Sequence, residues 1–209
     1  GALVRMIPTA TGAVPAADNP FFGSNDKSEY ICAWGLRSPW RGTRDASGRW
    51  FVGDVGDATW EEVDMVMAAE ENFGWGDVEG PCTSNCEGLT DPLVAWDRKE
   101  DAPFLVADPL AEPSAQRVAW VGPSYDAGRG TDPAKPDRYG GLLKNRILYG
   151  DACLGFLRGI VVDEDGVTRD DRQLGHLAGS TAMDVGPDGY LYAATFGKCM
   201  NVGPEYKMA

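Results

Sequence analysis

A turn followed at once by an apolar strand recurs along this chain, while no segment keeps a convincing helical period. Asp45-Ala-Ser-Gly-Arg-Trp-Phe-Val and Pro187-Asp-Gly-Tyr-Leu-Tyr-Ala share that plan, and Val162-Asp-Glu-Asp-Gly-Val is a third turn of the same kind. Asp and Gly suit such turns because Asp bonds its own downstream backbone and Gly accepts positive φ. The best helix candidate, Trp60 to Ala69, is short. Val63, Met65 and Met67 alternate there against Asp64 and Val66, so it reads as a strand. Further strand signals lie at Leu3–Ile7, Glu29–Gly35, Trp50–Asp54, Leu93–Trp96, Val118–Val121, Arg146–Tyr149, Gly155–Val162, Met183–Val185, Tyr190–Thr195 and Glu205–Met208. With 27 Gly and 14 Pro as punctuation, the chain reads as all-β. Repeated turn-strand units are the trace that propeller blades leave. The repeat alone leaves a sandwich open.

A chain of 209 residues is long enough for one well-buried core or two small ones. Its net charge of −13 excludes nucleic acid as a partner, since phosphates would be repelled and no basic cluster offers counterion release. Acidity fits a solvated surface, Ca²⁺ binding or docking to a basic protein such as a cytochrome. No apolar run is long enough to span a bilayer, and no basic-then-apolar leader opens the sequence. The chain begins inside a strand-like run, so further residues are expected before Gly1.

Five cysteines leave one over. Cys82 and Cys86 share a loop of turn formers and read as a small disulfide, because no second Cys/His pair with zinc spacing exists. Cys153 and Cys199 each follow a strand-like run and form a candidate second pair, leaving Cys32 as a buried thiol. This usage points to a periplasmic or extracellular setting. Lys99 to Arg117 and Gly122 to Gly141 read as long surface loops, of the kind that carry function or disorder.

Several blocks in order resemble the soluble quinoprotein glucose dehydrogenase and aldose sugar dehydrogenase (glucose/sorbosone dehydrogenase) family. They are Gly-Leu-Arg-Ser-Pro at 35–39, Asp-Val-Gly at 54–56, Trp-Glu-Glu at 60–62 and Asn-Phe-Gly-Trp at 72–75. Asp18-Asn-Pro-Phe21 and Tyr149-Gly-Asp-Ala-Cys-Leu-Gly155 extend the likeness. The resemblance implies part of a six-bladed β-propeller with four-stranded antiparallel blades and long inter-strand loops. Residues 1–209 form one such domain, expected to supply three to four blades. An open arc exposes sheet edges, so further residues or another chain are expected to close it.

The resemblance also implies a cofactor, pyrroloquinoline quinone (PQQ), with Ca²⁺, serving oxidation of a sugar hydroxyl. Arg37 matches the cofactor-binding arginine, against which stands a structural pairing with Asp54 or Glu61. Ser38 replaces the family's asparagine and loses an amide's paired donor and acceptor. Gly56 matches the glycine whose carbonyl binds Ca²⁺, and Asp57 stands where the glucose dehydrogenase branch has proline. Asp57 is either a further Ca²⁺ ligand or a turn cap. Glu61 and Glu62 point to opposite faces of a strand, one expected to pair with an arginine and the other to face solvent. His176, the lone histidine, precedes Leu-Ala-Gly and Gly186-Pro-Asp-Gly189 in imitation of the family's base motif. It is a candidate base, or a turn or interface histidine. The family's later lysine falls at Cys153 and its late arginines near Gly179 and Thr181, with Arg158 or Arg172 as possible substitutes. The expected activity is therefore a PQQ-dependent aldose dehydrogenase with a sugar substrate. The alternative is an inactive propeller serving as a binding or assembly module of an extracellular complex, with a protein partner.

Overall fold

In the computed structural model the described residues are 1–99, 116–125 and 137–196. Fifteen strands and one 3₁₀ turn make up their regular structure. The strands are β1 (Ala2–Val4), β2 (Met6–Thr9), β3 (Gly12–Pro15), β4 (Ile31–Trp34), β5 (Pro39–Arg44), β6 (Trp50–Asp54), β7 (Trp60–Val66), β8 (Glu71–Asn72), β9 (Val94–Asp97), β10 (Ala119–Tyr125), β11 (Arg146–Asp151), β12 (Phe156–Val162), β13 (Thr168–His176), β14 (Ser180–Val185) and β15 (Leu191–Thr195).

Two blades are complete: β5-β6-β7-β9 and β10-β11-β12-β13, each antiparallel throughout. Before them stands a three-stranded sheet, β1-β4-β8, whose last pair is parallel, and the separate hairpin β2-β3. After them the hairpin β14-β15 opens the next blade. Strand β10 packs against β5 on one side and β14 on the other. The first strands of successive blades therefore adjoin one another, as they do around a propeller hub. The protein is part of a β-propeller.

Wedges of apolar side chains join the sheets. Phe51, Val63 and Trp96 of the first blade meet Ala119, Val121, Ile147, Tyr149, Phe156 and Ile160 of the second. Trp96 meets Phe156 edge to face at 5.4 Å. Phe51 and Phe156 are both wholly buried, a burial that contributes about 1.5–3 kcal/mol apiece. The blades come so close at Gly53 that a Cβ there would lie 2.8 Å from Trp120 Cα. A second wedge gathers Ala33, Leu36, Val66 and Phe73, and a third gathers Tyr125, Leu143 and Leu148.

The repeated turn has one physical basis. Asp45 Oδ1 accepts from Arg49 N at 2.9 Å, Asp163 Oδ1 from Val167 N at 2.8 Å, and Asp188 Oδ1 from Tyr190 N at 3.2 Å. Each closes a hairpin: β5-β6, β12-β13 and β14-β15.

Several expected boundaries shift. Leu3–Ile7 breaks at Arg5 into two strands belonging to different sheets. Lys27–Tyr30 is a 3₁₀ turn because Asp26 caps it by accepting from Ser28 N, so the strand expected from Glu29 starts at Ile31. Gly122 does not begin a loop: β10 runs on to Tyr125, with its register interrupted where Pro123 lacks an N–H. Cys82 and Cys86 are bonded, with Cα atoms 5.8 Å apart. Cys153 is disulfide-bonded, and its expected partner Cys199 lies outside the described residues. Cys32 is the buried free thiol. The Glu205–Met208 strand and most of both long loops also fall outside the described residues.

Candidate functional site

The start of β5, the β6–β7 turn and the residues after β8 meet at one end of the first blade. Asp54 closes β6, and its carboxylate accepts from the backbone N–H groups of Arg37 (2.7 Å) and Ser38 (2.6 Å). That clasp fixes the approach to the hub strand and leaves the Arg37 side chain free to turn outward. Its guanidinium donates to the Val55 carbonyl at 3.2 Å and to Asp57 Oδ1 at 2.7 Å, and it stacks 5.7 Å over the Trp75 ring. Arg37 thus pairs with Asp57, where the sequence had offered Asp54 or Glu61. Ser38 is exposed, with its N–H on Asp54.

The turn after Gly56 has a fixed shape. A Cβ on Gly56 would collide with the Trp60 carbonyl oxygen, so only glycine fits. The N–H groups of Asp57, Ala58, Thr59 and Trp60 all point at Glu79 Oε1, at 2.7, 3.0, 3.0 and 3.2 Å. Burial pushes the Glu79 carboxyl up, but these four donors together outweigh it and hold it below its usual range. Such a nest of successive N–H groups suits an anion, and Glu79 fills it. Beyond a Glu inside a Gly-rich stretch, no local pattern marks this nest. An open cleft alongside is lined by Trp34, Trp60, Trp75, Asp77, Glu79 and Glu87 among others, with no Lys or Arg among the described residues of its wall.

The Glu61/Glu62 pair behaves in part as expected. Glu61 pairs with Arg98 and also accepts from Ala119 N of the next blade. Glu62 does not face solvent: it is buried and accepts from Gly80 N. The blade has wedges on both sides, so both faces of β7 are interior. Burial pushes the Glu62 carboxyl up to about 7; the Gly80 bond opposes this, and the charges of Asp54 and Glu79 add to it. Asp54 and Asp64 are also raised, first by burial.

His176 ends β13, the outermost strand of the second blade, and is exposed. Arg37 precedes the innermost strand of the first, so the fold does not gather the two into one cluster. Cys153 is buried beside Asp151, whose carboxylate caps the second blade as Asp54 caps the first. Arg158 is taken up by Asp171 at 3.0 Å and by the Tyr149 hydroxyl at 3.0 Å. Arg172 pairs with Asp170.

Comparison with known proteins places these features in context. A family model described as glucose/sorbosone dehydrogenase matches residues 1–118. The HIPL2 protein of Arabidopsis thaliana is 33% identical over 96 residues, covering 40% of this chain and 14% of that protein. The soluble aldose sugar dehydrogenase of Escherichia coli, in its apo form, superposes with a TM-score of 0.62 at 18% identity, covering 93% of this chain and 51% of that one. The PQQ-bound aldose sugar dehydrogenase of Streptomyces coelicolor gives 0.59 at 19% identity, covering 93% and 46%. The chain therefore spans about half of those solved chains, and at these identities the likeness is one of fold.

Proposed function

Because the chain belongs to the glucose/sorbosone dehydrogenase family, we propose that it carries part of a PQQ-dependent aldose dehydrogenase site, centred on Arg37 and the Gly56 turn. The observation that carries this reading is the placement of the Arg37 guanidinium over that turn, between the Val55 carbonyl and Asp57. The donor chemistry fits the group. Arg37 is half-exposed and offers a guanidinium to one carboxylate of the quinone. The Gly56 carbonyl and the exposed Asp57 carboxylate are oxygen donors of the kind Ca²⁺ takes. When bound, the quinone would accept hydride from a sugar carbon as its hydroxyl loses a proton.

The chain's own residues bind and orient. Asp54 fixes the backbone at Arg37, Glu79 rigidifies the 57–60 turn, and Trp75 offers a flat apolar face beside the cation. His176 is left out of this reading, since its strand is the outermost of its blade. The remaining cations and the base are assigned to residues outside this half-ring. The disulfide and the acidic surface suit an extracellular or periplasmic setting. Among the described residues, no helix is long and apolar enough to cross a membrane.

A second reading, an inactive propeller used as a binding module, is favoured by one observation: Asp57 already neutralises Arg37, and the adjoining cleft wall is acidic. Dye reduction with aldoses by the protein that includes the residues completing the ring, measured with and without PQQ and Ca²⁺, decides between them. The dehydrogenase reading expects a PQQ-dependent rate that Arg37→Ala abolishes. No rate and no quinone binding would overturn it in favour of the binding module.

A further inference from the structure

Asp54, Glu62 and Asp64 occupy the same face of the first blade. The β6–β7 register sets Asp54 opposite Glu62 and Val52 opposite Asp64. Residues 62, 64 and 66 of β7 alternate onto that face. Val66 there packs with Ala33, Leu36 and Phe73, so the three carboxylates look into the wedge between the first blade and the sheet before it. All three residues are buried, and one oxygen from each lies within 4.8 Å of the other two.

Asp64 makes the cluster unusual. It is wholly buried, and neither of its carboxylate oxygens has a hydrogen-bond partner. Asp151, equally buried, accepts from four donors: Trp96 Nε1, Val118 N, Cys153 N and Leu154 N. Asp54 has two backbone N–H groups and Glu62 one, and both keep oxygen lone pairs to spare. No cationic side chain among the described residues bonds to the cluster. Arg37 sends its guanidinium to Val55 and Asp57, and Arg98 is taken by Glu61. A wedge that needed only to be filled would be better served by apolar side chains.

We propose that Asp54, Glu62 and Asp64 hold a hard divalent cation, Ca²⁺ first among them, as an inter-blade staple. Three carboxylates with no nitrogen or sulfur donor select oxygen-loving ions. Ligand oxygens on opposite sides of Ca²⁺ stand about 4.6–5.2 Å apart, so three oxygens within 4.8 Å of one another can share one ion. The ion gives Asp64 the partner it lacks and ties β6 and β7 to the wedge. This site is separate from the Gly56–Asp57 turn and does not depend on quinone binding. Asp57 is exposed and engaged with Arg37, whereas Asp64 is enclosed.

The test uses the full chain without quinone. The protein is dialysed against a chelator and then titrated with Ca²⁺, Mg²⁺ or Mn²⁺, following the unfolding midpoint and the bound metal by mass spectrometry. Wild type and Asp57→Ala are expected to bind one Ca²⁺ per chain. Their midpoint is expected to rise by about 5–10 °C at Ca²⁺ a hundredfold above Kd. Asp64→Asn, close in shape but uncharged, is expected to lose both responses. Should it fail to fold, metal content in Asp57→Ala still decides. No bound cation, no midpoint shift with any of the three ions, or an Asp64→Asn protein that still responds would overturn the proposal. The first two results would identify a cluster held by protons. Loss of the response in Asp57→Ala alone would also overturn it, by assigning the ion to the quinone corner.

Discussion

Replacing Asp151 with alanine should loosen the joint between the two complete blades. The carboxylate accepts from Trp96 Nε1 at 3.0 Å and Val118 N at 3.1 Å through one oxygen, and from Cys153 N at 2.7 Å and Leu154 N at 2.9 Å through the other. Trp96 belongs to the first blade and the other three to the second, so a single side chain ties the two together. Each buried donor left without an acceptor costs about 1–3 kcal/mol. Trp96 is wholly buried and Cys153 nearly so, which keeps water from both. Val118 and Leu154 are half-buried and can recover water bonds. Removing the carboxylate also relieves its desolvation, the cause that raises its pKa. The net loss is therefore about 3–4 kcal/mol for Asp151→Ala, and roughly half of that for Asp151→Asn, which keeps one oxygen. Equilibrium denaturation in urea, followed by tryptophan fluorescence, reads this as a lower midpoint at unchanged slope. A loss under about 1 kcal/mol would mean that these bonds do not join the blades in solution and would refute the reasoning.

Two shorter expectations follow from the turns. Gly56→Ala forces a methyl against the Trp60 carbonyl and the Glu79 carboxylate, neither of which can retreat without opening the N–H nest. It should cost about 2–4 kcal/mol in the same denaturation assay, against under about 1 kcal/mol for Gly175→Ala, where a Cβ would enter open space. Asp45 is held below the usual carboxylate range: burial alone would raise it, but bonds from Ser47 Oγ and from Arg49 N and Nε lower it further. A depressed carboxyl contributes stability above its unfolded value of about 3.9 and loses it as pH falls through the folded value. Wild type should therefore lose more stability than Asp45→Asn between about pH 4 and pH 3, as measured by urea midpoints at each pH.

Much of the arc was legible because its hairpins are local. Trp50–Asp54 was read with its true ends, and the Asp-capped turns at 45, 163 and 188 are sequence-level objects. Strands at the hub and the rim were harder to see. Pro39–Arg44 faces the hub and is almost wholly exposed, and Thr168–His176 is a charged outer strand. Asp170 and Asp171 in that outer strand are matched by Arg146 and Arg158 from strands inside it. Neither strand shows apolar alternation, so the usual period-2 signal is missing. The candidate site was half legible. Gly35-Leu-Arg37 and Gly56 come from motif spacing, but the Arg37–Asp57 pair depends on a turn geometry fixed by Glu79, 22 residues beyond Asp57. Glu62 and Asp64 look like solvent-facing charges in sequence. They are interior because a blade has neighbours on both faces, which no local pattern encodes.

The proposed site is the hub-side corner where Arg37 and the Gly56 turn would grip an anionic quinone with its cation. A crystal structure of the protein with PQQ and Ca²⁺ tests it most directly. Quinone carboxylate density against the Arg37 guanidinium and an ion on the Gly56 carbonyl are expected. A quinone bound elsewhere, or a corner in which Arg37 stays closed on Asp57 with no ligand beside it, would rule this site out.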